Sequence, residues 1–496
     1  MRSHLIANYL GQGWAGLMAL AFVPVYLRVL GLEAYGVIGV FLFMQTLATL
    51  LDVGLTPMVN REMARHVAGE RSAQSAADLL KSTLCLVSLC ALALAVGIHV
   101  TAEWIVRDWL RPRQLDPREA ATAVATIGVL VALRLVEGLY RGALLGLQQH
   151  VRLNAVMAVS ATLRWGGAAA AVAWIAPRLD LFFAWQVGVS LVATALLRVQ
   201  VRQSLAPRPL RARASWRALA GVWRFAGGTL ALTALGLLLT QADKLLLVRW
   251  LSLEQFGLYS TAWTAAAALY QLVIPLTQAY FPRFTVLWAQ PDKRAMAAAY
   301  HQAARLLALC TVPPALVLVF FGEAALRFWL GDVRVAAAAA PLLSLLALGV
   351  LMHGFLHVPH ILAMASGQVR FGLYANAGAV LLYFPVLLWL SGQAAETGAG
   401  AAWLLLHAAY LLIGMQFFYR TLLPDEKWAW YRHDVAWPLF VGAAVCLVLR
   451  CLLDDPAAMG WGPLALIGLV LAAVLLVAMP DVRTQWRSAR KEKTHG

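Results

Sequence analysis

The chain has 496 residues, of which 61% are hydrophobic and only 13% are charged. Because soluble proteins carry about 25% charged residues, this composition excludes a water-soluble globular protein and indicates a chain solvated largely by lipid. The formal charge of +16 does not indicate a nucleic-acid-binding protein, since no basic face with interleaved aromatic residues lies outside the apolar segments.

Apolar segments long enough to cross a bilayer recur along the whole chain. A spanning helix needs about 20 predominantly apolar residues, and this criterion predicts about fourteen spans. The first segment is too long for the core of a signal peptide and has no credible cleavage site, so we expect it to remain as a helix. In chain order the predicted spans cover residues 5–28, 35–59, 79–100, 120–142, 151–176, 181–201, 224–249, 257–280, 300–321, 336–364, 370–391, 397–420, 434–453 and 460–480.

Arginine and lysine residues in the connections set the predicted orientation. The stretch RVQVRQSLAPRPLRARASWR at 198–217 holds six arginines and no acid, and the terminal stretch RTQWRSARKEK is also basic. The positive-inside rule places both stretches, and both termini, in the cytoplasm. No connection is long enough for a soluble catalytic domain, so we expect a protein that is not an enzyme and that works among its helices.

One sequence pattern occurs twice in the same register, at an offset of 221 residues. Arg28, Leu30, Leu32, Glu33 and Gly36 recur as Arg249, Leu251, Leu253, Glu254 and Gly257, and Leu55–Thr56 recurs as Leu276–Thr277. Because the offset covers six predicted helices, the copies share one orientation, which is typical of a parallel repeat.

The repeat predicts an all-α polytopic membrane protein built from two six-helix lobes and two C-terminal helices. We expect an N-lobe at 1–201, a basic cytoplasmic linker at 202–223, a C-lobe at 224–420, and the last two helices with a basic tail at 421–496. Two parallel lobes of this kind enclose a cavity near the midplane in alternating-access transporters.

Several stretches resemble one known family. PVYLRVLGLEAYG and LLDVGLTPMVNREMARH are similar to sequences of the polysaccharide transporters and oligosaccharide flippases of the multidrug/oligosaccharidyl-lipid/polysaccharide (MOP) superfamily. ADKLLLVRWLSLEQFGLYSTA resembles that family's seventh helix and following turn. VPHILAMASGQVRFGLYANAGAVL resembles its tenth-to-eleventh helix passage, and GAGAAWLL its twelfth helix.

The resemblance implies a flippase without a cofactor. Such a protein moves an undecaprenyl-pyrophosphate-linked oligosaccharide, the unit of an O-antigen, capsule or exopolysaccharide, across the bacterial inner membrane by alternating access. The implied partners are the lipid-linked oligosaccharide, membrane lipids, and the polysaccharide polymerase and glycosyltransferases of the same pathway, with H⁺ or Na⁺ as the candidate coupling ion.

Charges inside the predicted spans are the candidate substrate-binding residues, because a charge at the bilayer centre is costly and usually faces a cavity or a partner. Arg134, Glu137 and Arg141 are spaced i, i+3, i+7, which places them on one face of the fourth span. If Glu137 neutralises one arginine, the other is available for the two oxygens of a pyrophosphate. Arg164, in the fifth span, either pairs with Glu137 or reaches towards the interface. An interhelical salt bridge that only fixes packing is the alternative interpretation.

Asp243 and Lys244 lie inside the seventh predicted span and are also candidate cavity residues. Adjacent side chains point about 100° apart on a helix, so we expect each to find another partner. Lys244 is long enough to reach the interface, whereas a buried Asp243 carboxylate suits a proton-coupled step.

Four further charged residues are candidates for gating. Asp52 and Arg61 lie at the predicted cytoplasmic end of the second span, where Asp52 is either a gate residue or a loop cap. Arg28 and Arg249 are the repeat-related pair on the predicted outer side, each followed by a glutamate five residues later. They indicate either an outer gate or a clamp within each first turn.

Three histidines follow at i, i+4, i+7 in the tenth span: His353, His357 and His360. The spacing lacks the glutamate of a metalloprotease motif, and Pro359 interrupts it, so we predict polar lining or interhelical hydrogen bonds and no metal site.

Two other functions stay open at this point. A drug or cation antiporter of the same superfamily would have a cavity rich in acids and aromatic residues, against which the in-span arginines argue. A membrane-embedded polysaccharide polymerase or ligase would need an ordered catalytic loop with acids or a large outer loop, and the predicted connections contain neither.

Overall fold

A computed structural model describes residues 2–52, 54–205, 212–215, 223–290, 292–453 and 455–478. These residues form helices joined by short connections and contain no strand, which confirms the all-α prediction. Within the predicted linker, residues 206–211 and 216–222 lie outside the described residues, as does the basic stretch after Ala478.

The chain divides into two compact units, Met1–Gly257 and Leu258–Gly496. The helices of the first unit are α1 Arg2–Ala21, α2 Val23–Leu30, α3 Leu32–Ala48, α4 Leu55–Val67, α5 Ala73–Trp104, α6 Pro117–Gly146, α7 His150–Ala161, α8 Ala168–Trp174, α9 Leu179–Leu205 and α10 Trp223–Trp250. The next helix, α11 at Leu253–Ala267, contains the boundary between the units.

Helix α6 is the central helix of the first unit. It begins after Asp116, whose carboxylate caps the helix by accepting the Arg118 N–H, and Pro117 occupies the first helical position, where a missing N–H costs nothing. Helices α3, α4, α5 and α9 pack against it. The buried face of α6 is made of small and aliphatic residues, and a carboxylate, Glu137, lies among them.

The second unit is built around α15. Its helices are α12 Tyr270–Trp288, α13 Lys293–Phe320, α14 Gly322–Leu330, α15 Val333–Ala365, α16 Val369–Ala409, α17 Met415–Thr421, α18 Lys427–Ala429, α19 Trp437–Leu452 and α20 Trp461–Ala478. Helices α12, α13, α14 and α16 pack against α15, whereas α19 and α20 pack against α13. Pro275, Pro313 and Pro359 lie inside helices of this unit.

Helix α16 turns back on itself between the eleventh and twelfth predicted spans. Ala394 and Ala395 have non-helical backbone angles. A methyl group built on Gly398 would lie 2.0 Å from the Leu390 carbonyl oxygen, a proximity that a continuous helix does not allow. The gap predicted between residues 391 and 397 is therefore a chain reversal.

Ten helical stretches of the described residues are long and apolar enough to cross a membrane. Helix α3 is apolar but shorter, with 17 residues. The chain is therefore a multi-pass membrane protein, as predicted, while the count of fourteen spans stays a prediction.

Candidate functional site

Two arginines and one glutamate form a charged cluster in the interior of the first unit. Glu137, on α6, is 2% exposed, and its Oε2 lies 2.6 Å from Nη2 of Arg164 in the turn between α7 and α8. Arg134 lies one turn away on α6, with its Nη1 3.6 Å from the same oxygen. The structure thus joins three of the predicted site residues, and the salt bridge of Arg164 is interhelical.

The backbone that carries Arg164 departs from the α-helix. Residues Thr162–Gly167 form a π-helical turn, which frees backbone carbonyls from the regular pattern. Three successive carbonyls accept hydrogen bonds from side chains: Leu163 O from Trp185 Nε1 at 2.7 Å, Arg164 O from Gln186 Nε2 at 3.0 Å, and Trp165 O from the Tyr26 hydroxyl. These donors come from α2 and α9, so neighbouring helices fix the position of the Arg164 side chain.

The charges of this cluster do not balance. Two guanidinium groups share one carboxylate, and arginine stays charged under all ordinary conditions. The Nε atoms of Arg134 and Arg164 are buried and have no hydrogen-bond partner among the described residues. An anionic group that supplied two or more oxygens would both balance the charge and satisfy these N–H groups.

Arg141 extends the same arginine series by two turns along α6, but it is exposed. It interacts electrostatically with Arg134. The predicted common face of Arg134, Glu137 and Arg141 therefore runs from the interior of the unit to its surface.

Asp243 and Lys244, on α10, pair with each other, and the prediction that they would not is wrong. Lys244 Nζ lies 3.1 Å from Asp243 Oδ2 and also donates to the Thr240 carbonyl at 3.2 Å. The flexible lysine stem folds back by one turn towards that carbonyl, which brings the ammonium group to the neighbouring carboxylate. Both residues are buried, so Lys244 does not reach for the interface either.

The predicted outer gate residues Arg28 and Arg249 are both exposed. The glutamates that follow them differ in their surroundings. Glu33 is buried, and its carboxylate accepts the backbone N–H groups of Arg113, Gln114 and Leu115 at 2.8–3.2 Å. Glu254, at the equivalent position of the repeat, is exposed. Glu33, in the first copy of the repeat, therefore fixes the loop before α6. The sequence pattern did not predict this contact.

The second predicted gate lies at the junction of α3 and α4. The backbone of Asp52 ends a 3-10 turn, Thr49–Asp52, while its side chain lies outside the described residues. Arg61 is exposed on α4. Its neighbour Glu62 is buried and pairs with Arg65 at 3.4 Å and with Arg71. Beside the predicted gate residue Arg61, Glu62 thus forms ion pairs with two other arginines.

The three histidines predicted to make polar contacts do so in part. His353 and His357 belong to a group of aromatic and imidazole rings in the second unit, which also contains Tyr270 and His407. His360 is exposed, and among the described residues it makes no ring contact. The described residues contain no group of three or more His, Cys, Asp or Glu side chains arranged to hold a metal ion.

Residues 3–288 match the family model described as polysaccharide biosynthesis protein, which covers more than half of the chain. The chain belongs to this family. A second model, MatE, matches residues 230–389. No curated protein sequence matches the chain significantly.

Solved structures share the fold of this member of the polysaccharide biosynthesis family. It is similar to the lipid II flippase MurJ in its inward closed conformation, with a TM-score of 0.72, 12% identity, and coverage of 97% of this chain and 100% of MurJ. It is also similar to an inward-facing multidrug resistance MATE transporter of the MOP superfamily, with a TM-score of 0.62, 12% identity, and coverage of 83% of this chain and 94% of the transporter. For the MATE multidrug transporter DinF-BH the TM-score is 0.59 and the identity 14%, with coverage of 86% of this chain and 95% of DinF-BH.

The family model and the shared fold together identify a transporter or flippase of the MOP superfamily, as the sequence motifs predicted. At 12–14% identity the solved structures show the fold alone.

Proposed function

We propose that the protein is a flippase that moves an oligosaccharide linked to undecaprenyl pyrophosphate across the bacterial inner membrane. The unbalanced Arg134–Glu137–Arg164 cluster carries the proposal, since it leaves an excess positive charge and unsatisfied guanidinium N–H groups among spanning helices. A pyrophosphate has the charge and the oxygens to meet both needs. The family description, polysaccharide biosynthesis protein, supports a sugar-containing substrate.

In the proposed cycle no covalent bond changes, so the protein acts as a transporter and not as an enzyme. The arginines hold the headgroup, and the lipid tail stays in the hydrocarbon phase. Differential affinity of the two conformations for the headgroup sets the direction of movement. The six arginines at 198–217 support cytoplasmic termini, with loading from the cytoplasmic leaflet.

Arg134→Ala and Arg141→Ala test the proposal in vesicles that contain the purified protein and a fluorescent undecaprenyl-pyrophosphate-linked oligosaccharide. The signal is the fraction of fluorophore that a membrane-impermeant quencher destroys over time. We expect Arg134→Ala to slow flipping roughly tenfold or more, because a charge-assisted hydrogen bond contributes about 1.5–3 kcal/mol. Arg164 still neutralises Glu137 in this variant, so the fold is retained.

The matched control is Arg178→Ala, which removes an arginine paired with Asp180 at an exposed position of the same unit. The control should flip lipid at the wild-type rate. Wild-type rates in both Arg134→Ala and Arg141→Ala would remove these arginines from the substrate path and reject the proposed headgroup site.

A drug or cation antiporter is the second candidate, and the MatE match at residues 230–389 favours it. The same vesicles distinguish the two functions. Uptake of a lipophilic cation such as a fluorescent rhodamine, with no movement of the lipid-linked oligosaccharide, would replace the flippase proposal by the antiporter.

A further inference from the structure

Each of the two units carries an apolar groove on its surface. The first groove lies between α9 and α7 with its adjoining π-helical turn, and its volume is about 660 Å³. The second groove lies between the two arms that the reversal of α16 separates, and its volume is about 710 Å³. Exposed apolar side chains form the rims, among them Val159 and Val192 in the first groove and Leu382 and Ile413 in the second. Exposed apolar surface of this kind on spanning helices contacts the hydrocarbon of the bilayer.

The two grooves are copies of one feature of the sequence repeat. Twelve residues line the first groove, and each of them has an equivalent that lines the second. For the lining residues on α9 the equivalent lies 221 residues further along the chain, as Ile413 does from Val192. For those on α7 and its π-helical turn it lies 219 residues further, as Gly378 does from Val159. A gap left by imperfect packing would not recur position by position, so both grooves are built features of the fold.

The length of each groove matches one leaflet of a bilayer. The lining residues on α9 run from 184 to 196, which corresponds to about 18 Å at a rise of about 1.5 Å per residue. One leaflet contributes about 15 Å, half of the hydrocarbon core. Ala155 and Leu196, at one end of the first groove, lie near the predicted cytoplasmic ends of their spans. The groove therefore has the length and the position for one acyl chain of a phospholipid in the cytoplasmic leaflet, whereas an undecaprenyl chain is much longer than the groove.

An arginine stands at the predicted cytoplasmic end of each groove. Arg152 precedes Ala155 by one turn on the same side of α7, and Arg420 follows Phe417 by one turn on α17. Both arginines are exposed, at the depth where the headgroups of the cytoplasmic leaflet lie. One guanidinium group matches the single negative charge of a phosphodiester, whereas the two arginines around Glu137 match the higher charge of a pyrophosphate.

We propose that each groove binds one anionic phospholipid of the cytoplasmic leaflet, with an acyl chain along the groove and the phosphate at Arg152 or Arg420. Basic pockets between spanning helices on the cytoplasmic side are typical sites for anionic headgroups. The floor of each groove contains a glycine, Gly188 or Gly378, on which an added methyl group would meet nothing within 4 Å. The described side chains thus leave this space to a chain from the bilayer. The lipid sites do not depend on the flippase proposal.

Occupancy of the grooves is tested by photo-crosslinking. The purified protein is placed in phosphatidylcholine vesicles that contain a small fraction of phosphatidylglycerol with a diazirine group in one acyl chain. Mass spectrometry of the digested protein then locates the attached lipid. We expect attachment to concentrate on α7 and α9 in the first unit and on both arms of α16 in the second. Attachment spread evenly over the exposed apolar helix faces would show bulk lipid only and would reject both sites.

Leucine at either floor glycine gives a pair of reciprocal controls. Gly188→Leu fills the first groove and should remove most attachment there, while attachment in the second groove stays at the wild-type level. Gly378→Leu should do the reverse, and because each variant keeps one intact groove, the loss of one site alone does not come from misfolding. Gly97→Leu changes another exposed helical glycine with open space around it, so both sites should stay occupied. Wild-type attachment in both groove variants would overturn the proposal.

Recognition of the headgroup is tested by competition with unlabelled lipid. Phosphatidylglycerol should displace the probe about fivefold better than zwitterionic phosphatidylethanolamine, the preference expected from one basic residue at the membrane surface. Arg152→Gln should abolish this preference in the first groove alone, and Arg420→Gln in the second alone. Arg294→Gln, an exposed arginine at another predicted cytoplasmic helix end, should change neither. Equal displacement by the two lipids would reject an anionic ligand. Displacement by the undecaprenyl-pyrophosphate-linked oligosaccharide at concentrations where phosphatidylglycerol has no effect would replace the phospholipid by the carrier lipid.

Discussion

The backbone of Leu253 lies directly against Gly36: a methyl group built on Gly36 would be 2.4 Å from the Leu253 carbonyl oxygen. The same contact occurs a second time with the roles exchanged. A methyl group on Gly257 would be 2.4 Å from the carbonyl oxygen of Leu32. Gly36 and Gly257 are equivalent in the sequence repeat, as are Leu32 and Leu253, so the two copies of the pattern contact each other reciprocally. We call this pair of contacts, Gly36 with Leu253 and Gly257 with Leu32, the clasp.

Both contacts of this clasp need glycine for the same reason. Residues Leu32 and Leu253 are the first residues of α3 and α11, and each glycine follows one turn later. Only a residue without a side chain lets the facing helix start approach to this distance. The pairing also gives the repeat a physical reason, because a self-complementary contact is formed by two copies of one pattern.

Alanine at position 36 or 257 should therefore destabilise the protein. Gly36→Ala and Gly257→Ala each force the clasp apart, and overpacking of this kind costs about 1–3 kcal/mol. The midpoint of thermal unfolding of the purified protein measures the effect. Because both glycines serve one clasp, the double variant should lose less than the sum of the two single losses.

Gly97→Ala is the matched control, since a methyl group at this helical position meets nothing within 4 Å. It should leave stability unchanged or raise it slightly, because alanine favours the helix over glycine by up to about 1 kcal/mol. If Gly36→Ala unfolds at the same temperature as Gly97→Ala, the clasp makes no contribution to stability.

The sequence predicted the apolar helices and the repeat because both are properties of spacing. It could not predict that the two copies touch, since spacing says nothing about which helix starts meet. The Asp243–Lys244 pair was missed for a different reason: the lysine rotamer, not the helix geometry, decides the contact. His407 was missed because it lies on another helix, so the i, i+4, i+7 series on α15 gave no signal for it.

Because Arg134 and Arg164 both pair with the Glu137 carboxylate, we expect the stability of the protein to fall strongly when this side chain is removed. Glu137→Ala leaves two buried guanidinium groups with no counter-ion in the cluster, and breaking a buried ion pair costs about 3–5 kcal/mol. We expect a strong drop in the unfolding midpoint and in the yield of folded protein.

The distances around Glu137 also predict an order for the two arginines. Arg164→Gln should destabilise more than Arg134→Gln, because the ion-pair distance is 2.6 Å for Arg164 and 3.6 Å for Arg134. Thermal unfolding of both variants under the same conditions checks the order. The reverse order would mean that Arg134 is the principal partner of the carboxylate.

We expect that loss of the Glu33 carboxylate charge loosens the loop at residues 113–115, whose backbone N–H groups it accepts. Glu33→Gln removes the charge that accepts the N–H groups of residues 113–115, and hydrogen bonds to a charged group contribute about 1.5–3 kcal/mol. Hydrogen–deuterium exchange of peptides covering this loop should therefore speed up. Glu254→Gln, the exposed equivalent in the repeat, should leave exchange of the loop at the wild-type rate, and equal effects of the two variants would refute a specific role for Glu33.

We predict that the carboxylate of Asp434 holds helix α19 against helix α13. It is fully buried in a π-helical turn before α19, and its carboxylate contacts His301 and lies 2.8 Å from Nε of Arg305, both on α13. Asp434→Asn removes the charge that both partners meet, so we expect a loss of about 3–5 kcal/mol, as for other buried pairs. Glu323→Gln breaks the more exposed pair with Arg327 and should cost no more than about 1 kcal/mol.

The unfolding midpoints of the two variants measure the difference in stability. Limited proteolysis locates the difference, since a released α19 would be cut in Asp434→Asn alone. Equal midpoints and equal cleavage would show that α19 is held by its apolar contacts with α13 and not by this carboxylate.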